Sequence, residues 1–266
     1  MKKIAVIGTG FRPKGDDIPP DEIINIKGEQ FQPSLVETSI PAFPVNEINR
    51  QISETSIIEA GLRAAKNGFQ GVFINTVGDY GLNALKSGLK IPVVGAGHSS
   101  MLIASSIGKN FSIVTIWPPQ LKFIYEGLLK LYDLEKYCKS IRCVSIDEEL
   151  ETLPNKENFV TEMRQNKLNQ QERILKEIEI AVKKDGADTV ILGCTCMSPA
   201  AKQIAEKSIA PIINPMTSGY KYLEMLMDLK LSQSEISFPT LGPIGSEHYT
   251  SMANGIANMK IPNIRG

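Results

Sequence analysis

The chain has 266 residues, 42% of them hydrophobic and 22% charged, which is enough apolar material for one large domain or two of about half that size. Lysine plus arginine and aspartate plus glutamate both total 29, and no stretch gathers either sign, so nucleic acid is not expected as a partner. The apolar run after Met1-Lys2-Lys3 is shorter than the roughly 7–15 residues of a signal-peptide core, and none approaches the roughly 20 of a membrane span, which predicts a cytoplasmic protein without a membrane.

Along the chain, short β-branched or apolar runs alternate with helical patterns as far as about residue 230, which predicts parallel strands joined by crossover helices. The predicted strands are Ile4–Ile7, Gly71–Ile74, Pro92–Val94, Phe111–Thr115, Ile141–Ile146, Thr189–Leu192 and Pro211–Ile213, continuous runs of the kind covered on both faces. Ile58, Leu62 and Ala65 recur at helical spacing ahead of Gly68, a helix stop. Leu121, Ile124, Leu128 and Leu131 mark a second apolar face. Ile174, Ile178 and Val182 mark a third, within a charged helical segment from about Lys156 to Lys184 whose charges read as a solvated face. From residue 231, Pro239, Gly242, Pro243, Gly245 and Pro262 predict an irregular extension with one short helix around Tyr249–Ala257.

Four cysteines, Cys138, Cys143, Cys194 and Cys196, are too few for a disulfide framework, and a reducing cytoplasm is expected to keep them as thiols. The two histidines, His98 and His248, do not lie at metal-ligand spacing from a cysteine pair, so no metal site is expected. Gly8-Thr9-Gly10 after the first strand lacks the third glycine of a dinucleotide loop, since position 13 is Pro13, and no P-loop lysine-serine pair follows. It reads instead as a loop in which Thr9 can touch a carboxylate.

An internal repeat organises the rest. Val72-Phe73-Ile74-Asn75-Thr76 aligns with Val190-Ile191-Leu192-Gly193-Cys194, and Pro92-Val93-Val94-Gly95 aligns with Pro211-Ile212-Ile213-Asn214 after a one-residue insertion. Two similar Rossmann-like, flavodoxin-like α/β halves with mostly parallel sheets follow, related by a pseudo-two-fold: 1–97 plus 216–230, and 98–215, with 231–266 as an extension of unassigned role. Ligands of open parallel sheets bind beyond the carboxyl ends of the strands, so Thr76 and Cys194 are expected to face one another across a cleft between the halves.

A cysteine where a strand runs into a helix meets unpaired backbone N–H groups and the positive end of the helix dipole, both of which favour the thiolate. Cys194 stands at such a place, where a thiol pKa of about 8.5 is lowered toward neutrality. The N–H groups of the Gly193-Cys194-Thr195 turn, with the Thr195 hydroxyl, can hold a carboxylate or a developing enolate oxygen. Together they can remove a proton from a carbon next to a carboxylate without a cofactor. A small buried cysteine on a strand end is the bland alternative, and the repeat weighs against it. Asp79 reads as a cap of a helix beginning near Tyr80 or as a second base, and His98 as an acid/base or a polar wall residue. Cys138 and Cys143, which have no turn motif, read as inert.

These segments resemble a known family. Leu192-Gly193-Cys194-Thr195-Cys196-Met197 resembles the second catalytic cysteine motif of the Asp/Glu/hydantoin racemase superfamily. Val77-Gly78-Asp79-Tyr80-Gly81-Leu82 resembles the segment after the first cysteine of hydantoin racemases, where Gly-Asp-Pro-Gly-Leu is usual. Pro92-Val93-Val94-Gly95 and Phe111-Ser112-Ile113-Val114-Thr115 also match that branch, and the resemblance spans about residues 1–230.

The resemblance implies a cofactor-independent racemase or epimerase acting next to the carboxylate or carbonyl of an amino acid, hydantoin or related small acid, in a chain that can form a homo-oligomer. Cys194 would be its acid/base. Asn75, Val77, Gly78, Asp79, Thr115 and Trp117 would contact substrate together with Thr9, Gly193 and Thr195. One departure stands out: the first cysteine of the pattern falls on Thr76, whose hydroxyl is far too weakly acidic to replace a thiol. Single-cysteine members such as arylmalonate decarboxylases lose carbon dioxide into an oxyanion pocket made partly by Thr or Ser at that turn. A decarboxylase or carbon–carbon lyase is therefore the second reading, and a non-catalytic small-molecule binding protein the third.

Overall fold

The computed structural model describes residues 1–9, 18–40, 42–153, 155, 158–240 and 246–258; the predicted features at Gly10, Pro13, Lys156, Gly242, Pro243, Gly245 and Pro262 lie outside them. The chain divides into two compact units, Met1–Gly95 with Gly219–Gly266, and Ala96–Ser218. Among the described residues, no helix is long and apolar enough to cross a membrane.

The first unit contains β1 (Lys2–Ile7), α1 (Asp21–Ile24), β2 (Phe31–Val36), α2 (Glu47–Lys66), β3 (Gly71–Ile74), α3 (Leu82–Gly88) and β4 (Val93–Gly95). Its four strands are parallel, in the order β2-β1-β3-β4. β3 is buried at every residue and β1 at its last four, because helices cover both faces of the sheet. β2 is not predicted from the sequence, where Pro33 and the polar Gln32 and Ser34 interrupt the apolar run. It is an edge strand, the one place in a sheet where a missing N–H need not cost a ladder bond.

The second unit contains α4 (Ala96–Ile107), β5 (Phe111–Thr115), α5 (Lys122–Leu131), β6 (Cys138–Cys143), α6 (Phe159–Arg164), α7 (Leu168–Lys183), β7 (Thr189–Leu192), α8 (Ala201–Lys207) and β8 (Ile212–Ile213). Its parallel order, β6-β5-β7-β8, repeats that of the first sheet. β6 begins three residues before the predicted Ile141–Ile146 strand, and Ile146 is exposed. The charged segment is two helices rather than one: the Asn158 side chain accepts from the N–H groups of Val160 and Thr161 to start α6, and Asn166 then takes a positive φ before α7. Leu121, Ile124 and Leu128 are buried as predicted, whereas Leu131, at the end of α5, is exposed.

The chain returns to the first unit through α9 (Pro215–Asp228), where Tyr220 packs edge-on against Phe73 with ring centroids 6.1 Å apart. The short helix predicted near Tyr249 is α10 (Ser246–Asn258); it packs on α2, with the Tyr249 hydroxyl 3.3 Å from Thr55 Oγ1.

Equivalent backbone bonds show the repeat directly. The Val72 N–H donates to the Pro92 carbonyl and the Val190 N–H to that of Pro211, both at 3.0 Å. One step past the strands, Asn75 N–H donates to Ile7 O at 2.7 Å and Gly193 N–H to Val114 O at 2.8 Å. Thr76 and Cys194 therefore occupy the same position in their respective sheets. In each sheet the first and third strands in chain order lie side by side while the others extend outward on either flank. Their carboxyl ends form the switch point at which open parallel sheets hold ligands.

Candidate active site

In the second unit the switch point lies between β5 and β7, and Gly193-Cys194 leaves the end of β7 there. A Cβ at Gly193 would overlap the Thr115 side chain and stand 3.0 Å from the Thr115 Cα, so glycine is what lets the two strand ends approach. Cys194 is half-buried and extended, with φ −145° and ψ 138°, and opens a 3-10 turn, Thr195–Ala200, ahead of α8. A helix is predicted directly after Cys194; this turn, which contains Pro199, intervenes. The Cys196 N–H is directed at Cys194 Sγ, 3.3 Å away. Ser198 Oγ donates to Asn214 Oδ1 at 2.6 Å and Met216 N–H to the same oxygen at 3.2 Å, tying the turn to the start of α9.

Cys194 and Cys196 are joined by a disulfide, which corrects the expectation of four free thiols. The local reason is spacing: the turn brings the two Cα atoms to 5.2 Å, inside the roughly 4.4–6.8 Å range that a disulfide spans. Cys138 and Cys143 are free. Burial pushes their thiols up, to about 12 for Cys138 and about 11 for Cys143.

Thr115, predicted to touch substrate, is fully buried, and its hydroxyl is taken up within the unit. Its Oγ1 lies 2.7 Å from the Tyr125 hydroxyl and accepts from Trp117 N–H at 3.3 Å, while Tyr125 Oη donates to the Gly193 carbonyl at 2.7 Å. Trp117 is buried edge-on against Phe159, with centroids 5.4 Å apart. His98, on α4, stacks at 4.3 Å on the ring of Tyr132.

In the first unit the switch point lies between β1 and β3, where Thr9 and Asn75-Thr76 leave the strand ends, and Thr9 is half-buried. Thr76 is nine-tenths buried, yet its Oγ1 has no hydrogen-bond partner among the described residues. A buried hydroxyl in that state carries a desolvation cost of about 1–3 kcal/mol that a ligand can relieve. Val77 and Asp79 are buried, and Gly78 lies beneath the Tyr80 ring, which leaves no room for a Cβ. Asp79 is not the helix cap considered from the sequence. It has φ 47°, and α3 starts only at Leu82, behind Gly81 at its N-terminal boundary with φ 75°. The Asp79 carboxylate instead occupies the space where a Cβ at Gly95 would stand.

The sequence pattern of the Asp/Glu/hydantoin racemase family matches residues 31–223. The chain belongs to this family. Among curated relatives, the hydantoin racemase of Rhizobium meliloti is 25% identical over 200 residues, covering 75% of this chain and 78% of that protein. Among solved structures, allantoin racemase from Pseudomonas fluorescens aligns with a TM-score of 0.77 at 21% identity, covering 91% of this chain and 98% of the other. A mutant arylmalonate decarboxylase shares the fold at a TM-score of 0.55 and 12% identity, covering 85% and 92% of the two chains.

Three residues that hold this turn in place were not singled out as site residues from the sequence: Tyr125, Ser198 and Asn214. The only signal for Tyr125 was a phenol next to the apolar face of a helix, and a buried phenol needs a partner that the pattern does not name.

Proposed function

We propose that this protein is a cofactor-independent racemase of small carbon acids in which Cys194, as a reduced thiol, is the acid/base. The observation that carries this reading is the place of Cys194: it lies just past the end of β7 at the switch point of its sheet, on a turn of a chain that belongs to the racemase family. The hydantoin and allantoin racemases among the relatives support a hydantoin-like ring as substrate, whose acidic C–H lies beside a carbonyl. The Cys194 thiolate takes that proton and becomes a thiol, the electron pair moves to the carbonyl oxygen, and backbone N–H groups of the turn hold the resulting enolate. A proton delivered from solvent water to the other face inverts the centre, and the Cys194 thiol returns its proton to solvent to restore the thiolate.

Thr76 is the proposed hydroxyl donor of the reaction, together with contacts from Thr9, Asn75, Val77, Gly78, Asp79, Trp117, Gly193 and Thr195. Its hydroxyl, buried without a hydrogen-bond partner among the described residues at the position equivalent to Cys194, favours a second reading. In that reading carbon dioxide leaves a substituted malonate, and the Cys194 thiol protonates the enolate on one face only.

Proton NMR in deuterium oxide separates the two. After reduction by a dithiol, the protein is incubated with pure enantiomers of 5-substituted hydantoins and amino acids, and with substituted malonates. Exchange at the chiral carbon with loss of optical rotation is the expected result. Loss of carbon dioxide from a malonate without racemisation supports the second reading, and no reaction in either series overturns both.

A further inference from the structure

We propose that Tyr125 is a positioning residue, which holds the Gly193–Cys194 peptide so that the Cys194 N–H is fixed as a donor beside the thiol. The inference rests on the reading of Cys194 as the acid/base.

Tyr125 sits on α5 with its side chain almost fully buried, and its hydroxyl contacts two oxygens, Gly193 O and Thr115 Oγ1, each at 2.7 Å. A carbonyl cannot donate, so the single phenolic proton goes to Gly193. The Thr115 hydroxyl must then donate to the Tyr125 oxygen, and its own lone pair accepts from Trp117 N–H. Every proton in the chain from Trp117 through Thr115 and Tyr125 to Gly193 thus has one allowed direction. Burial pushes the Tyr125 hydroxyl well above its ordinary pKa, which keeps that last proton in place.

The chain ends on the peptide that leads into Cys194. Carbonyl and N–H point in opposite directions across a planar trans peptide, so anchoring the Gly193 carbonyl on Tyr125 fixes where the Cys194 N–H points. That N–H meets no acceptor among the described residues. Donation to the carbonyl also polarises the peptide and strengthens its N–H, by roughly 10–30% for bonds linked in series. A phenol serving only as filler would leave a phenylalanine equally suitable and would not be threaded into a directional chain.

The test compares Tyr125→Phe, Thr115→Val and Thr115→Ser with the natural protein, all reduced by a dithiol. The first readout, the pH profile of Cys194 alkylation by iodoacetamide followed by peptide mapping, needs no substrate. Tyr125→Phe should move the profile to higher pH and slow alkylation near neutrality by roughly three- to tenfold. The second readout is racemisation of 5-benzylhydantoin. Here kcat should fall about 10- to 100-fold with KM nearly unchanged, somewhat less than when an oxyanion donor is removed outright. Thr115→Val breaks the same chain one link away and should act in the same direction, which keeps the test open should Tyr125→Phe fail to fold. Thr115→Ser retains the hydroxyl and should restore both readouts. A Tyr125→Phe protein with a lower Tm but an unchanged profile and kcat overturns the positioning role. Turnover surviving in Cys194→Ala overturns the acid/base reading and this inference together, whereas an inactive Cys194→Ala beside a fully active Tyr125→Phe overturns only the inference.

Discussion

Cys194 and Cys196 are bonded through their sulfurs across a single residue, Thr195, so the thiol proposed as acid/base is held in a disulfide within its own turn. A disulfide sulfur carries no ionisable proton. The oxidised protein should therefore be inactive and should recover turnover on addition of dithiothreitol. A thiol titration under denaturing conditions should rise from two to four groups, since only Cys138 and Cys143 are free beforehand. In Cys196→Ser the disulfide cannot form, and activity should become independent of the reductant. Full activity of the oxidised natural protein would remove Cys194 from the mechanism.

Thr76 carries a buried hydroxyl without a hydrogen-bond partner among the described residues. If it donates to the developing enolate, Thr76→Ala should lower kcat by about 10²–10³, the usual cost of a lost oxyanion donor. Thr76→Cys places a thiol where the racemase pattern has one, and it should raise the rate at which both enantiomers lose optical rotation. An unchanged kcat in Thr76→Ala would leave that hydroxyl without a part in the chemistry.

Gly193 is glycine for reasons of space, since a Cβ there would strike Thr115. Gly193→Ala must push the ends of β5 and β7 apart and should cost about 1–3 kcal/mol of stability, the usual penalty for overpacking a filled interior. It should also slow Cys194 alkylation. Gly127 on α5 is the control: a Cβ there meets nothing within 4 Å, and Gly127→Ala should leave stability unchanged or raise it by about 0.5–1 kcal/mol. Chemical denaturation of the two variants measures the difference.

Cys138 and Cys143 should resist iodoacetamide near pH 8. With thiol pKa values pushed to about 12 and about 11 by burial, they expose only a minute thiolate fraction there. Labelling should rise as pH climbs toward 11. The same shifts act on stability. Both folded values lie above the unfolded thiol value of about 8.5, so the folded state holds protons that the unfolded state releases. That contribution is fully present below about pH 8.5 and is lost as pH rises through the folded values, and Tm measured across this range should fall.

The positions of most strands and the equivalence of Thr76 with Cys194 were legible in the sequence, because both rest on local patterns. Continuous apolar runs mark strands covered on two faces, and the two proline-opened strands align in the same relation to Ile74 and to Leu192. The edge strand Phe31–Val36 was hidden, since a strand with one free edge tolerates the proline and polar residues that local reading counts against it. What only the tertiary structure decided is the surroundings of the cysteine. Tyr125 and Gly193 are 68 residues apart, and their hydrogen bond depends on how α5 packs beside β5 and β7. The left-handed turn that moves Asp79 from a helix cap to a buried place beside Gly95, and the pairing of Cys194 with Cys196 rather than with solvent, are decided in the same way. Residue types confine a side chain to a few possible partners; which one it meets depends on the packing of distant segments.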